Sequence, residues 1–173
     1  MRTMAITGAE QDEDAGGRLA ELYRRHAPEA VRLAYLLTGD RALAEDLMQE
    51  AFVRMFGRFR DLRNPDAFGA YLRKTIVNLS RSHFRRAKVE RAYVAREAGA
   101  PGAGGQPDVG AREEMWQALL ALPERQRTAI VLRYYEDLTE AQTADAMRCP
   151  AGTVKSLVSR GIGRLRQEMT RGE

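Results

Sequence analysis

Most kinds of chemistry are missing from this sequence. A single cysteine, Cys149, rules out an intramolecular disulfide and fits a reducing, cytoplasmic setting. Only two histidines are present, His26 and His83, and no metal-ligand spacing is recognisable around either. Asp46 and Glu50 form the one close acidic pair worth considering for catalysis. No histidine joins them in sequence, so neither a metal-dependent nor a general acid–base site is expected. The chain therefore reads as a binding protein, not an enzyme, with no cofactor and no metal. The first residues, MRTMAITGAEQDEDAGG, have neither a long apolar core nor a cleavage pattern, so no signal peptide or membrane anchor is expected, and residues 1–17 read as a disordered tail. Strand-like alternation and internal repeats are also absent, which points to an all-α protein.

Charge is more informative where it lies than in total. The formal net charge of +4 points only weakly to a polyanionic partner. From Ala67 to Val89, however, there is no acidic residue at all, while Arg73, Lys74, Arg81, Arg85, Arg86 and Lys88 are present. Such a run is a basic surface, not a diffuse bias.

The stretch TEAQTADAMRCPAGTVKSLVSRGIGRLR, Thr139 to Arg166, has the layout of a helix-turn-helix. Thr139 and Gln142 form a capping box, and Ala141, Ala144 and Met147 supply the inner face of a short helix. The turn falls around Arg148, Cys149 and Pro150, with Pro150 suited to the first turn of the next helix. In that second helix Val154, Val158, Ile162 and Leu165 recur at spacings of four, four and three, and Lys155, Ser156, Ser159 and Arg160 take the other side. A cationic, hydroxyl-bearing helix face suits the DNA major groove, where Arg and Lys bond guanine edges or phosphates.

Before it lie three longer helical patterns. Leu19, Leu22, Ala30, Leu33 and Leu37 mark the first, and Pro28 within it predicts a kink or two consecutive helices. Gly39 and Asp40 stop this element and cap the next. The second, from Arg41, is mostly core, with Leu43, Leu47, Met48, Phe52 and Met55. Its remaining face carries Asp46, Gln49 and Glu50, either a solvated acidic face or a docking surface for a cationic partner. Asn64 and Pro65 then start a third helix with Phe68, Leu72, Ile76 and Leu79 inside. Lys74, Asn78, Arg81, Arg85 and Lys88 follow along its outside at spacings of four, three, four and three. This outer stripe is a second candidate nucleic-acid surface.

Ala98 to Gly110, AGAPGAGGQPDVG, contains five glycines and two prolines and almost nothing large enough to bury. It reads as a flexible linker between two small helical domains: residues 18–90, then a linker over 91–111, then 112–173. In the second domain Met115, Leu119 and Leu122 begin an apolar pattern that Pro123 breaks and Ile130, Val131, Leu132 and Tyr135 resume.

The order of these parts resembles the extracytoplasmic-function (ECF) group of bacterial RNA polymerase sigma factors, which consist of two helical domains, regions 2 and 4. The resemblance is carried by LTGDRALAEDLMQEAFVRMF and by LPERQRTAIVLRYYEDLTEAQTADAMRCPAGTVKSLVSRGIGRLR, and it covers nearly all of residues 18–170. It implies that Asp46, Gln49 and Glu50 dock on core RNA polymerase. It further implies that Arg63, Asn64, Asn78, Arg81, Arg85 and Arg86 bind the −10 promoter element, and that Lys155, Ser156, Ser159 and Arg160 contact the −35 element. Leu120, Leu122 and the helix after Pro123 would help seat region 4 on the polymerase flap. An anti-sigma protein, which holds several members inactive, is the further partner it raises. Departures from the family pattern are Tyr71 for Trp, Gln142-Thr143 for Glu-Ile, Met147-Arg148 for Leu-Gly and Leu157 for Arg. They bear on which −35 sequence is read, not on the fold. A stand-alone helix-turn-helix regulator is the alternative, but it would need neither the acidic helix nor the basic first-domain stripe.

Overall fold

The computed structural model describes residues 6–59, 67–97 and 111–171. Among them there are seven α-helices and one π-helical turn, and no strand. Helix α1 spans Ile6–Thr38, α2 Arg41–Phe59 and α3 Phe68–Glu97. Helix α4 spans Ala111–Ala121 and α5 Glu124–Ile130, the latter running into the π turn Val131–Tyr135. The last two helices are α6, Glu140–Met147, and α7, Ala151–Arg171.

Helices α1 to α3 form a bundle because each carries one apolar stripe. Leu33, Ala34 and Leu37 of α1 meet Ala44, Leu47, Met48, Ala51 and Phe52 of α2, and Phe68, Leu72 and Ile76 of α3 close the third side. The α1–α2 break is built as the sequence predicts. Gly39 has φ +75° and its N–H bonds the Tyr35 carbonyl, while Asp40 Oδ1 accepts the Leu43 N–H at 3.0 Å. Glycine is needed at this corner for a second reason: a Cβ there would lie 2.7 Å from the Leu120 side chain.

Two expectations are corrected here, and a third is narrowed. Residues 6–17 are not a disordered tail but the opening turns of α1. Ala9, Glu10, Gln11, Glu13 and Ala15 are good helix formers, and extending an existing helix avoids the nucleation cost. Of the two outcomes expected at Pro28, a kink or two consecutive helices, the second does not occur, since α1 is continuous through it. Ala27, Ala30 and Leu33 are buried on either side of it, and this packing outweighs the lost backbone hydrogen bond. Residues 91–97, assigned to the linker, continue α3, while the Gly/Pro-rich 98–110 lies outside the described residues.

The two halves are not held apart. Ala129, Val131, Leu132, Leu138, Ala146, Met147 and Leu157 join the bundle residues in one continuous hydrophobic cluster. Helix α4 packs on α7 and touches α1, where Trp116 stacks on Tyr35 with ring centroids 4.9 Å apart. Arg32 of α1 lies over the Tyr135 ring at 4.6 Å, and Arg127 of α5 lies 5.3 Å from the Phe84 ring of α3. Arg127 is only 6% exposed, and its Nη1 donates to the Leu120 carbonyl at 2.8 Å. Burial holds its guanidinium below its ordinary pKa, while Glu124 acts in the opposite direction.

Candidate nucleic-acid and partner interfaces

The helix-turn-helix is built from local signals. Thr139 Oγ1 accepts the Gln142 N–H at 3.2 Å, and Gln142 Oε1 accepts the Thr139 N–H at 2.8 Å, completing the capping box that starts α6. At the other end Arg148 takes up the left-handed conformation (φ 51°, ψ 55°), and the N–H of Cys149 bonds the Ala144 carbonyl at 3.0 Å. Pro150 then accepts from the N–H groups of Thr153 and Val154 as α7 begins. The predicted turn at residues 148–150 is therefore where the chain turns.

The inner faces are rotated from those predicted. In α6, Ala144 and Met147 are buried as expected, but Ala141 is exposed and Thr143 is fully buried. In α7 the innermost residues are Val154, Leu157 and Gly161, while Val158, Ile162 and Leu165 flank them half-buried. Gly161 makes the rotation possible, since a Cβ there would come within 2.5 Å of Ile130 Cδ1. Close approach at a missing side chain leaves no signal in an apolar periodicity, which is why the stripe was displaced.

The outer face of α7 is unaffected by this rotation. Lys155, Ser156, Ser159 and Arg160 are all exposed. Ser156 Oγ donates to the Gly152 carbonyl at 3.0 Å, and Arg160 Nε donates to the Ser156 carbonyl at 3.1 Å. Both bonds lie within the helix, so no tertiary neighbour holds either side chain.

The α3 stripe is divided by what packs on it. Arg81, Arg85, Arg86 and Lys88 are exposed and Asn78 half-buried. Lys74, expected on the same free face, is instead covered by α6, its Nζ 2.7 Å from Asp145 Oδ1. At the adjacent position, Arg73 Nε donates to Glu136 Oε2 at 2.8 Å. Arg81 also faces Glu124, whose carboxyl is pushed up by burial and drawn back by Arg81, Arg127 and Arg125. Arg63 and Asn64 lie outside the described residues. Tyr71, the residue available for stacking on an unpaired base, is 52% exposed.

On α2, Asp46, Gln49 and Glu50 are exposed together. Glu50 pairs with Arg54 one turn on at 2.5 Å, whereas Asp46 has no ion-pair partner among the described residues. Leu122, expected at the flap contact, is buried, and Leu120 rests against Gly39, so these two serve the interior of the closed arrangement. Among the described residues no group of histidine, cysteine or carboxylate side chains could hold a metal, and no helix is long and apolar enough to cross a membrane.

A capped helix-turn-helix with a free cationic face, joined to a helical bundle with its own basic helix, defines a bipartite DNA-binding protein. The comparisons narrow that class. The family described as Sigma-70 region 2 matches residues 22–90, and that described as Sigma-70, region 4 matches residues 112–165. The RNA polymerase sigma-E factor of Streptomyces coelicolor is 31% identical over 86% of this chain and 84% of its own length. The ECF RNA polymerase sigma factor SigW of Bacillus subtilis is 27% identical over 91% of this chain and 90% of its own. The sigma factor RpoE of Bartonella quintana, solved with the anti-sigma factor NepR, superposes with a TM-score of 0.69 at 21% identity, covering 87% of this chain and 96% of that one; it shows the shared fold. The chain belongs to the ECF group of RNA polymerase sigma factors. It is an alternative sigma factor, which binds core RNA polymerase and directs it to promoter DNA for initiation.

Proposed function

We propose that three surfaces divide this work. Asp46, Gln49 and Glu50 on α2 dock on a cationic surface of core polymerase. Asn78, Arg81, Arg85 and Arg86 on α3, with Arg63 and Asn64 before it, bind the −10 element. Lys155, Ser156, Ser159 and Arg160 on α7 contact the −35 element. The observation that carries this reading is the α7 face: four exposed residues, none held by another helix, on a helix whose opposite side is locked into the core. Such a helix is rigid where it packs and free where it would read bases. The α2 acids support the docking role in the same way, since Leu47, Met48 and Ala51 between them are buried and fix the direction in which the carboxylates point.

The test is the double substitution Asp46→Arg, Glu50→Arg. Both positions are exposed, so the helix survives, while two attractive charges become repulsive at the polymerase surface. Labelled protein titrated with core polymerase should show binding lost or weakened at least tenfold, with an unchanged circular dichroism spectrum. A folded double variant that binds core as the parent does would show that docking lies elsewhere.

A further inference from the structure

A cavity of about 720 Å³ lies where the helix-turn-helix meets the bundle. Arg54 of α2, Arg81 and Arg85 of α3, and Arg148 of the α6–α7 turn converge on it. Asn78 and Ser82 add an amide and a hydroxyl, and among the described residues no carboxylate lines it. Guanidiniums drawn together from three separate elements repel one another, even at the exposed positions that all four occupy. Some of the charge is met from outside: Arg54 pairs with the half-exposed Glu50, and Arg81 also borders the cleft that contains Glu124. Among the described residues, Arg85 and Arg148 have no ion-pair partner.

Arg148 is the informative member. It sits in the left-handed conformation, with φ 51°, at a helix end where glycine is free of strain and a residue with a Cβ is not. The position thus holds a strained arginine whose side chain is delivered into a cavity already lined by three others.

We propose that this cavity binds a small polyphosphate anion, of the kind carried by a nucleoside di- or triphosphate, and that the bound anion ties the helix-turn-helix to α3. The volume lies within the ~300–1,000 Å³ typical of small-molecule sites. Arginine forks match phosphate oxygens in bidentate fashion, and an anion carrying several charges neutralises several guanidiniums at once, which a single carboxylate cannot do. Resting on the assignment of Asn78, Arg81 and Arg85 to the −10 element, the site has a regulatory consequence. The same side chains cannot bind the anion and promoter DNA together, so the ligand holds the protein closed and off the promoter.

The test uses the full chain and sodium tripolyphosphate as the probe, followed by calorimetry. Saturable binding is expected, with sodium sulfate at matched ionic strength giving no comparable heat. Arg148→Gly removes the guanidinium while easing the backbone, so it stays folded, and Arg85→Gln removes a second one. Each should weaken binding about tenfold or more. Equal binding by the parent and both variants, or equal binding of sulfate, overturns the site. So does a random DNA duplex that binds in an Arg148-dependent manner where tripolyphosphate does not, since the cluster would then be a contact for DNA phosphates. A separate arm follows a fluorescent single-stranded −10 oligonucleotide, which tripolyphosphate should displace from the parent and not from Arg148→Gly. If the oligonucleotide never binds while tripolyphosphate does, the α3 assignment fails and the anion site stands.

Discussion

Arg73 and Glu136 are 63 positions apart in the chain, yet the Nε of one lies 2.8 Å from the Oε2 of the other, with side chains only 27% and 17% exposed. This pair joins α3 of region 2 to the segment after the π turn of region 4. With Lys74–Asp145 beside it, it makes the closed arrangement depend on charge as well as on apolar packing.

Removing one partner of such a pair leaves the other half-buried and unpaired. Glu136→Leu is therefore expected to destabilise the closed protein by about 1–3 kcal/mol, and Arg73→Met,Glu136→Leu together by less than Glu136→Leu alone. Urea denaturation measures the first quantity. Small-angle scattering should show the radius of gyration rising for the single variant as the halves separate.

Arg160 is exposed and bonded only within its own helix, so Arg160→Ala should leave stability nearly unchanged. Loss of one base-edge or phosphate contact is worth roughly 1–3 kcal/mol of DNA binding. Run-off transcription with core polymerase should fall on promoters with an intact −35 element. An equal fall on promoters with that element scrambled would show that Arg160 does not read sequence.

His26 lies against Phe68, and its pKa is held below the ordinary 6.5, first by burial, then by Arg25 and Arg73, with Glu29 opposing. A histidine kept neutral in the folded state takes up its proton more readily when unfolded. Its contribution is therefore neutral well above pH 6.5, and stability falls as the pH drops below 6.5 through the folded-state value. His26→Gln should flatten the acid side of the stability profile between pH 7 and 5. Parallel profiles for parent and variant, measured by denaturant titration at each pH, would show that His26 does not set that slope.

Gly161 and Gly163 provide a matched pair on α7. A Cβ at Gly161 meets Ile130 Cδ1 at 2.5 Å, while one at Gly163 meets nothing within 4 Å. Gly161→Ala should cost about 1–3 kcal/mol by pushing α7 off α5. Gly163→Ala should stabilise by up to ~1 kcal/mol through helix propensity alone. Thermal melts of the two variants should move in opposite directions.

The features legible in the sequence are those made by residues close together in it. The Thr139–Gln142 capping box, the turn at Arg148 to Pro150, the stop at Gly39–Asp40 and the break at Pro123 each depend on backbone groups within a few positions, so residue type was enough to place them. The exposed face of α7 and the acids of α2 were legible for a related reason: polar side chains opposite an apolar stripe point outward whatever covers that stripe. Tertiary structure decided what lies opposite what. Lys74 looks like one more cation in a free stripe until Asp145, 71 residues on, is brought to it by the docking of α6. Leu157 belongs to the core only because Gly161 lets α7 approach Ile130, and Arg127 is buried only because α5 lies across Phe84. Arg148 looks like an isolated turn residue until three arginines from the other half line the same cavity. Periodicity reports which side of a helix is apolar, but the identity of the element that covers it, and of the charges that element brings, depends on contacts between distant segments that no local pattern encodes.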